Sequence, residues 1–220
     1  MDPNPYKPIW ETIAERIKED IISGVYLPGD RLTENELSTK YASSKTPVKE
    51  ALRYLEGIGF VEIIPYKMTR VRSLNKEEVA DLYSIESLLE GLAARKATLN
   101  LTKAQLGRLE KYVGLLEKAH EEQHPSRYEK ANLEFHALIW QASNSTKLQA
   151  VINSIREQLQ RFRTITRRYL EEFSDLMADH QRILEAFVQK DPLAAEQLVR
   201  RHFEKSGKII VALLQREKGL

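Results

Sequence analysis

Two groups of side chains in this chain of 220 residues have the types and the spacing for chemistry. The first is cationic. Lys45, Lys49 and Arg53 recur every four residues, which on a helix stacks them along one face. Val48, Leu52 and Leu55 form an apolar face on the same segment, able to hold that helix against a small core. A helix anchored on one side and cationic on the other suits the major groove of DNA, where its N-terminal residues come nearest the bases. Taken alone, such a stripe is also what a solvated helix face looks like. The second group is imidazole. Of the five histidines, His136, His180 and His202 fall on three different expected helices. Each has apolar neighbours at helical spacing: Phe135 and Ile139, Ile183 and Leu184, Leu198 and Val199. If those helices pack together, the three rings can converge. Neutral imidazoles on facing helices bind zinc, nickel or a similar divalent metal. Without convergence they are ordinary core or surface histidines. His120 and His124, at a helix end and in a loop, are read as surface residues.

Composition narrows the class. There are no cysteines, which excludes a disulfide framework, a thiolate zinc finger and a cysteine nucleophile. Hydrophobic residues make up 42%, enough for a packed core. No apolar run is long enough to span a bilayer and no signal-peptide core opens the chain, so a cytoplasmic protein without a membrane partner is expected. The net charge of +2 is weak support for nucleic-acid binding, but its distribution is uneven. Residues 1–74 carry eleven basic and eleven acidic side chains. Within them Lys40, Lys45, Lys49 and Arg53 face only Glu50, and Lys67, Arg70 and Arg72 have no nearby acid in sequence. A neutral domain with a one-sided basic surface is the pattern of a DNA reader.

The elements that must position these residues are legible in turn. Ile9, Ile13, Ile17 and Ile21 recur every four positions and predict a helix over about 8–24, ended by Gly24 and the Leu27-Pro28-Gly29-Asp30 turn. Thr33 and Glu36 match a capping box, opening a short helix that ends near Tyr41. A third helix runs over about 45–56, stopped by Gly57 and Gly59. Residues 60–64 and 68–72 have strand composition and are joined at Pro65-Tyr66-Lys67, a two-stranded hairpin. From Asn75 onward the period is helical throughout, with helices over about 76–98, 102–122, 126–142, 145–170, 173–189 and 192–215. Asp191 followed by Pro192 is an N-cap with proline at the first helical position. The fold class is mostly α: an N-terminal winged helix-turn-helix over 1–74, then an all-α antiparallel helical bundle over 75–220.

Residues 9–73 resemble the GntR family of bacterial transcription regulators. The resemblance is carried by Gly24, Leu27-Pro28-Gly29, Arg31-Leu32, Glu36-Leu37, Thr46-Pro47-Val48-Lys49-Glu50-Ala51-Leu52, Leu55 and Gly59-Phe60-Val61. It implies base contacts from Asn35, Ser44, Lys45 and Lys49, phosphate contacts from Thr46 and Arg53, and a minor-groove contact from Lys67 at the wing tip. Ala42-Ser43 replaces a common Gly-Val in the turn, and Lys45 and Lys49 stand where Arg is commoner. Lysine offers a mobile point charge where arginine grips guanine with two hydrogen bonds, so either the preferred operator differs from the commonest family site or discrimination is weaker.

The remaining helices resemble the effector domain of the FadR-like branch of that family, the FCD domain. This rests on Asn132-Leu133-Glu134-Phe135-His136, Ala142-Ser143-Asn144, Asp179-His180 with Ile183 and Ala186-Phe187, and Asp191 to Ala195 leading to His202-Phe203. It implies an effector-binding and dimerisation domain with Glu86, Asn132, His136, Asn144, His180 and His202 at the effector site, and with Asn132, His136, His180 and His202 around a divalent metal. Many relatives have Asp where Asn132 stands, and the loss of that charge weakens the site for a metal. Many also have Arg where Glu86 stands, and a carboxylate there repels a carboxylate ligand. Either the effector is not a simple organic acid or its anion is held elsewhere. One candidate is the basic segment Arg156, Arg161, Arg163, Arg167 and Arg168, although a solvated amphipathic helix is the favoured reading of it.

The expected function is therefore a homodimeric transcription regulator that binds a double-stranded DNA operator under control of a small-molecule effector. Repression is the default sign, because a bound dimer blocks polymerase. Two other classes stand against it. A metal-dependent hydrolase would need a general base, and Glu134 points about 200° away from His136 on a helix. A helical scaffold protein would leave the basic segments incidental.

Overall fold

The four-residue recurrence of isoleucine does what its period requires: α1 (Ile9–Ile22) buries Ile13, Ile17 and Ile21 and leaves Ile9 exposed. The computed structural model describes residues 7–73, 75–162 and 168–218. The chain forms two units, Met1–Leu74 and Asn75–Leu220. In the first, α1 packs on α3 (Lys45–Gly57), whose Val48, Ala51, Leu52 and Leu55 are buried, with Leu37 of α2 (Glu34–Lys40) closing the core. Thr33 caps α2 by accepting from the Glu36 amide at 3.2 Å. The Glu36 carboxylate accepts a hydrogen bond from the Thr33 hydroxyl at 2.7 Å, so the expected box closes through the hydroxyl. The helices meet in a turn where Ala42 sits at φ +50°, a left-handed backbone that favours glycine.

Strands β2 (Val61–Ile64) and β3 (Met68–Val71) form the antiparallel hairpin, with Val61 opposite Val71 and Ile64 opposite Met68. The hairpin is not alone. β1 (Arg31–Leu32) pairs with the other edge of β3, Leu32 opposite Thr69, giving the order β1-β3-β2. Two residues are too few to show an alternation, so this third strand had no periodic signal in the sequence.

The second unit opens at α4 (Lys76–Thr98), capped by a full box between Asn75 and Glu78. It continues through α5 (Lys103–Glu121), α6 (Pro125–Ala142), α7 (Thr146–Leu159), α8 (Asp175–Val188) and α9 (Pro192–Lys218). Asp191 Oδ1 accepts from the amides of Leu193 and Ala194, both at 3.0 Å, as the Asp-Pro start predicts. The core is built by Phe135 and Ile139 of α6, Leu109 of α5, Ile183 and Phe187 of α8, and Val199 and Phe203 of α9. Glycine lets α4 and α9 approach closely: a Cβ on Gly207 would lie 2.6 Å from that of Tyr83.

The single helix expected over 145–170 is not what forms. α7 stops at Leu159 and tightens into a 3-10 turn at Gln160–Phe162, and Leu170–Phe173 is a second 3-10 segment. Residues 163–167 lie outside the described residues. Phe162 and Phe173 are both buried along a cavity, and leaving the α-helical path is what brings them there.

Candidate functional site

In the N-terminal unit the residues named from the sequence share one property: Asn35, Ser44, Lys45, Thr46, Lys49, Arg53 and Lys67 are all exposed. Burial of the opposite face of α3 turns its three cations to solvent. Lys45, Lys49 and Arg53 make no ion pair among the described residues. Ser44 occupies the N-cap position of α3, but its side chain takes no capping bond. Asn35 and Lys45 line one groove with the wing residues Ile64, Tyr66 and Lys67. Lys40 is different. It is held by Asp20 at 2.7 Å and lies 4.3 Å over the Tyr26 ring, so it belongs to the packing of α1 against α2.

In the helical unit the three histidines do converge. The ring centres of His136 (α6), His180 (α8) and His202 (α9) are 4.6–5.6 Å apart. One ring nitrogen from each lies within 4.8 Å of the others. All three are buried. Burial lowers the pKa of each, to about 4 for His180 and well below the usual range for His136 and His202, so the rings are neutral and carry lone pairs. Those lone pairs lack partners. Both ring nitrogens of His136 and Nδ1 of His202 make no hydrogen bond. His180 Nδ1 is 2.9 Å from the Leu176 carbonyl and must donate to it, which leaves Nε2 without a proton. That bare nitrogen is 2.8 Å from Asn132 Oδ1, also an acceptor. Two facing acceptors are reconciled by a cation beside both, or by turning the amide so that it donates. The donor set therefore fits a divalent ion: three neutral imidazoles and a neutral amide oxygen.

A second polar cluster stands on α4. Glu86 and Glu90 are 3% and 0% exposed. The Arg156 guanidinium reaches both carboxylates, at 4.0 Å and 3.9 Å, beyond hydrogen-bond range. It also lies 4.3 Å over the Trp140 ring. Trp140 Nε1 donates to Glu90 Oε2 at 2.5 Å, while Glu90 Oε1 has no partner. Burial raises both carboxyls, to about 7 for Glu86 and about 8 for Glu90, with Arg156 opposing. Arg156 is thus not part of a solvated helix face: its side chain is 21% exposed, and the acids and the indole that hold it come from other helices. Arg163 and Arg167 lie outside the described residues.

A cavity of about 450 Å³ joins the two clusters. Its wall includes Tyr83, Glu86, Asn132, Trp140, Arg156 and His202. Asn144 is not among its lining residues. It is exposed in the turn after α6 at φ +51°, a conformation asparagine tolerates, and its residue type is explained there. The sequence reading missed Tyr83, Glu90 and Trp140. A signal existed for Glu90: Val79, Glu86, Glu90, Ala93 and Ala97 are spaced 7, 4, 3 and 4 apart, which puts two acids on the buried stripe of α4.

The remaining imidazoles are also placed. His124 is exposed and accepts from the Arg127 amide at 3.4 Å, capping α6. His120 is half-buried, its ring 6.5 Å from that of Tyr128, and so is not a free surface residue. Glu134 accepts from the Tyr112 hydroxyl at 3.4 Å, a partner on α5 that takes up the one carboxylate near His136 in sequence.

Residues 9–71 match the family described as bacterial regulatory proteins, gntR family, and residues 81–205 match the FCD domain. The chain is 24% identical to the HTH-type transcriptional repressor RspR of Escherichia coli K12, with 96% of this chain and 93% of that protein covered. It is 28% identical to the Glc operon transcriptional activator of the same organism, with 89% and 86% covered. Its fold is similar to that of E. coli McbR/YncC, with a TM-score of 0.75, 21% identity, and 96% and 100% covered. The first two of these are transcription regulators, one a repressor and one an activator.

Proposed function

The chain belongs to the gntR family of bacterial regulatory proteins, with an FCD domain behind its DNA-binding domain, and from that premise we propose a homodimeric repressor released or recruited by a small-molecule effector. The observation that carries effector control is the cavity of about 450 Å³, whose wall includes both Asn132 and His202. Of the side chains on that wall, His202 has a ring nitrogen, Nδ1, without a hydrogen-bond partner among the described residues. His136, His180 and His202, with Asn132, would hold a divalent ion such as zinc or nickel, which would supply a Lewis-acidic anchor for an effector donor atom. Glu86 borders the same space.

The N-terminal turn of α3 enters the major groove, where Ser44, Lys45 and Lys49, joined by Asn35, read bases. Thr46 and Arg53 hold phosphates, and Lys67 reaches the minor groove from the wing. Pairing of two copies is supported by Ile85, Leu88 and Leu92, exposed at i, i+3 and i+7 on α4, with exposed Val151 on the neighbouring α7. The effector acts only through its differential affinity for DNA-competent and DNA-incompetent states of that dimer. A bacterial cytoplasm is the matching compartment, and no described helix is long and apolar enough to cross a membrane.

Selection from a random duplex pool, followed by anisotropy on the selected site, tests the DNA half of this reading. A pseudopalindrome should emerge, and Lys49→Ala should weaken it by roughly tenfold, about 1.4 kcal/mol, with less effect on random DNA. Equal loss on both DNAs would remove Lys49 from base readout, and no enriched sequence would overturn the reading. Metal analysis of gently purified protein tests the other half. About one divalent ion per chain, lost in His136→Ala, is expected.

A further inference from the structure

We propose that the ligand of this cavity carries a cationic nitrogen, an ammonium or amidinium group, that seats against Glu86. The proposal rests on reading the cavity as the effector site and adds the charge of the effector. Glu86 is 3% exposed and lines the cavity, and among the described residues its charged partner is Arg156 at 4.0 Å, too far for a hydrogen bond. That single guanidinium also serves Glu90, whose Oε1 is buried without a partner. Two buried carboxylates thus share one cation, and neither receives a hydrogen bond from it.

A buried carboxylate is stable when paired and hydrogen-bonded, and a ligand ammonium beside Glu86 supplies both. The rest of the wall suits such a group: Tyr83, Trp140, Phe162 and Phe173 present aromatic rings, which attract cations. An anionic group seated at Glu86 would instead place further negative charge beside a guanidinium already shared by two acids.

The test uses three molecules of one chain length on the full-length protein: 1,5-diaminopentane, 1,5-pentanediol and glutarate. The diamine should raise the melting temperature in a concentration-dependent way, and the diol and glutarate should not. Glu86→Gln, which keeps the side-chain shape, should weaken the diamine by tenfold or more. If that variant does not fold, Trp140 fluorescence in a Trp10→Phe background serves instead: it should respond to the diamine and not to the diol. Stabilisation by glutarate that is lost on filling the cavity with Leu133→Trp would overturn the cationic ligand and keep the cavity. Stabilisation by the diamine that survives Leu133→Trp would overturn the cavity reading itself. No response to any of the three overturns the proposal alone, because metal binding at the histidines is read separately.

Discussion

The candidate contact residues of the two units live under opposite conditions. In the N-terminal unit, Asn35, Ser44, Lys45, Thr46, Lys49, Arg53 and Lys67 are exposed and stay solvated. In the helical unit, Glu86, Glu90, His136, His180 and His202 are buried, and each must be held by other protein groups or by something that binds. Solvated polar groups contribute to binding with little effect on the fold, whereas buried ones couple the two. The winged unit should therefore lose affinity without losing stability, and the helical unit should lose both together.

The largest effect expected from that contrast is at Arg156. Arg156→Met leaves Glu86 and Glu90 without their shared cation, and removing one partner of a buried pair costs about 3–5 kcal/mol. Urea denaturation at pH 8 should show this loss. It should shrink toward pH 5, where the two carboxyls take up protons. A loss below about 1 kcal/mol at pH 8 would mean that the acids are accommodated without Arg156, and the contrast would fail. Lys49→Ala is the opposite case: its unfolding free energy should stay within about 0.5 kcal/mol of wild type.

Next comes the fourth position of the histidine cluster. Asn132 offers a neutral oxygen 2.8 Å from His180 Nε2. Asn132→Asp places a full negative charge there, and divalent metal affinity should rise by roughly tenfold to a hundredfold, as read by competition with a chelator. An unchanged affinity would mean that the ion is held by the imidazoles alone.

The acid pair also makes stability depend on pH. Both pKa values are raised in the fold, so the contribution of each carboxyl is fully present below its unfolded value near 4.5 and is lost as pH rises through about 8 for Glu90. Glu90→Gln cannot titrate. Its stability relative to wild type should therefore increase between pH 5 and pH 8.5, by on the order of 1–2 kcal/mol. Thermal denaturation of both proteins at the two pH values checks this, and a constant difference would show that the Glu90 carboxyl titrates in the fold as it does in the unfolded chain.

These sites were unequally readable from the sequence for the same physical reason. The winged unit is assembled from neighbours: a hydroxyl cap at Thr33, a four-residue apolar period in α1, and a glycine stop after α3 each act within one or two turns. The exception is β1, whose two residues are defined only by pairing with β3, some forty positions away. In the helical unit the histidines were readable because three rare residues sat on three apolar stripes. The acid cluster was readable only in part: spacing puts Glu86 and Glu90 on the buried stripe of α4, but Trp140 and Arg156 reach Glu90 from α6 and α7, and no local pattern marks that meeting. The basic period after Arg156 even suggested one long solvated helix, where the chain instead turns inward at Phe162.

The smallest expected effect lies in the turn between α2 and α3, where Ala42 holds φ at +50°. A left-handed backbone costs an L residue about 1–2 kcal/mol, and glycine avoids that cost. Glycine also gives the unfolded chain more freedom, which offsets roughly 0.5–1 kcal/mol of the gain. Ala42→Gly should therefore stabilise the protein by no more than about 1 kcal/mol, as read by urea denaturation. Its operator affinity should be unchanged, because residue 42 precedes the exposed cations of α3 and carries no polar group. If affinity fell while stability rose, the strained turn would be setting the angle at which α3 meets DNA. The winged unit would then also couple fold to binding, through its backbone instead of its buried charges.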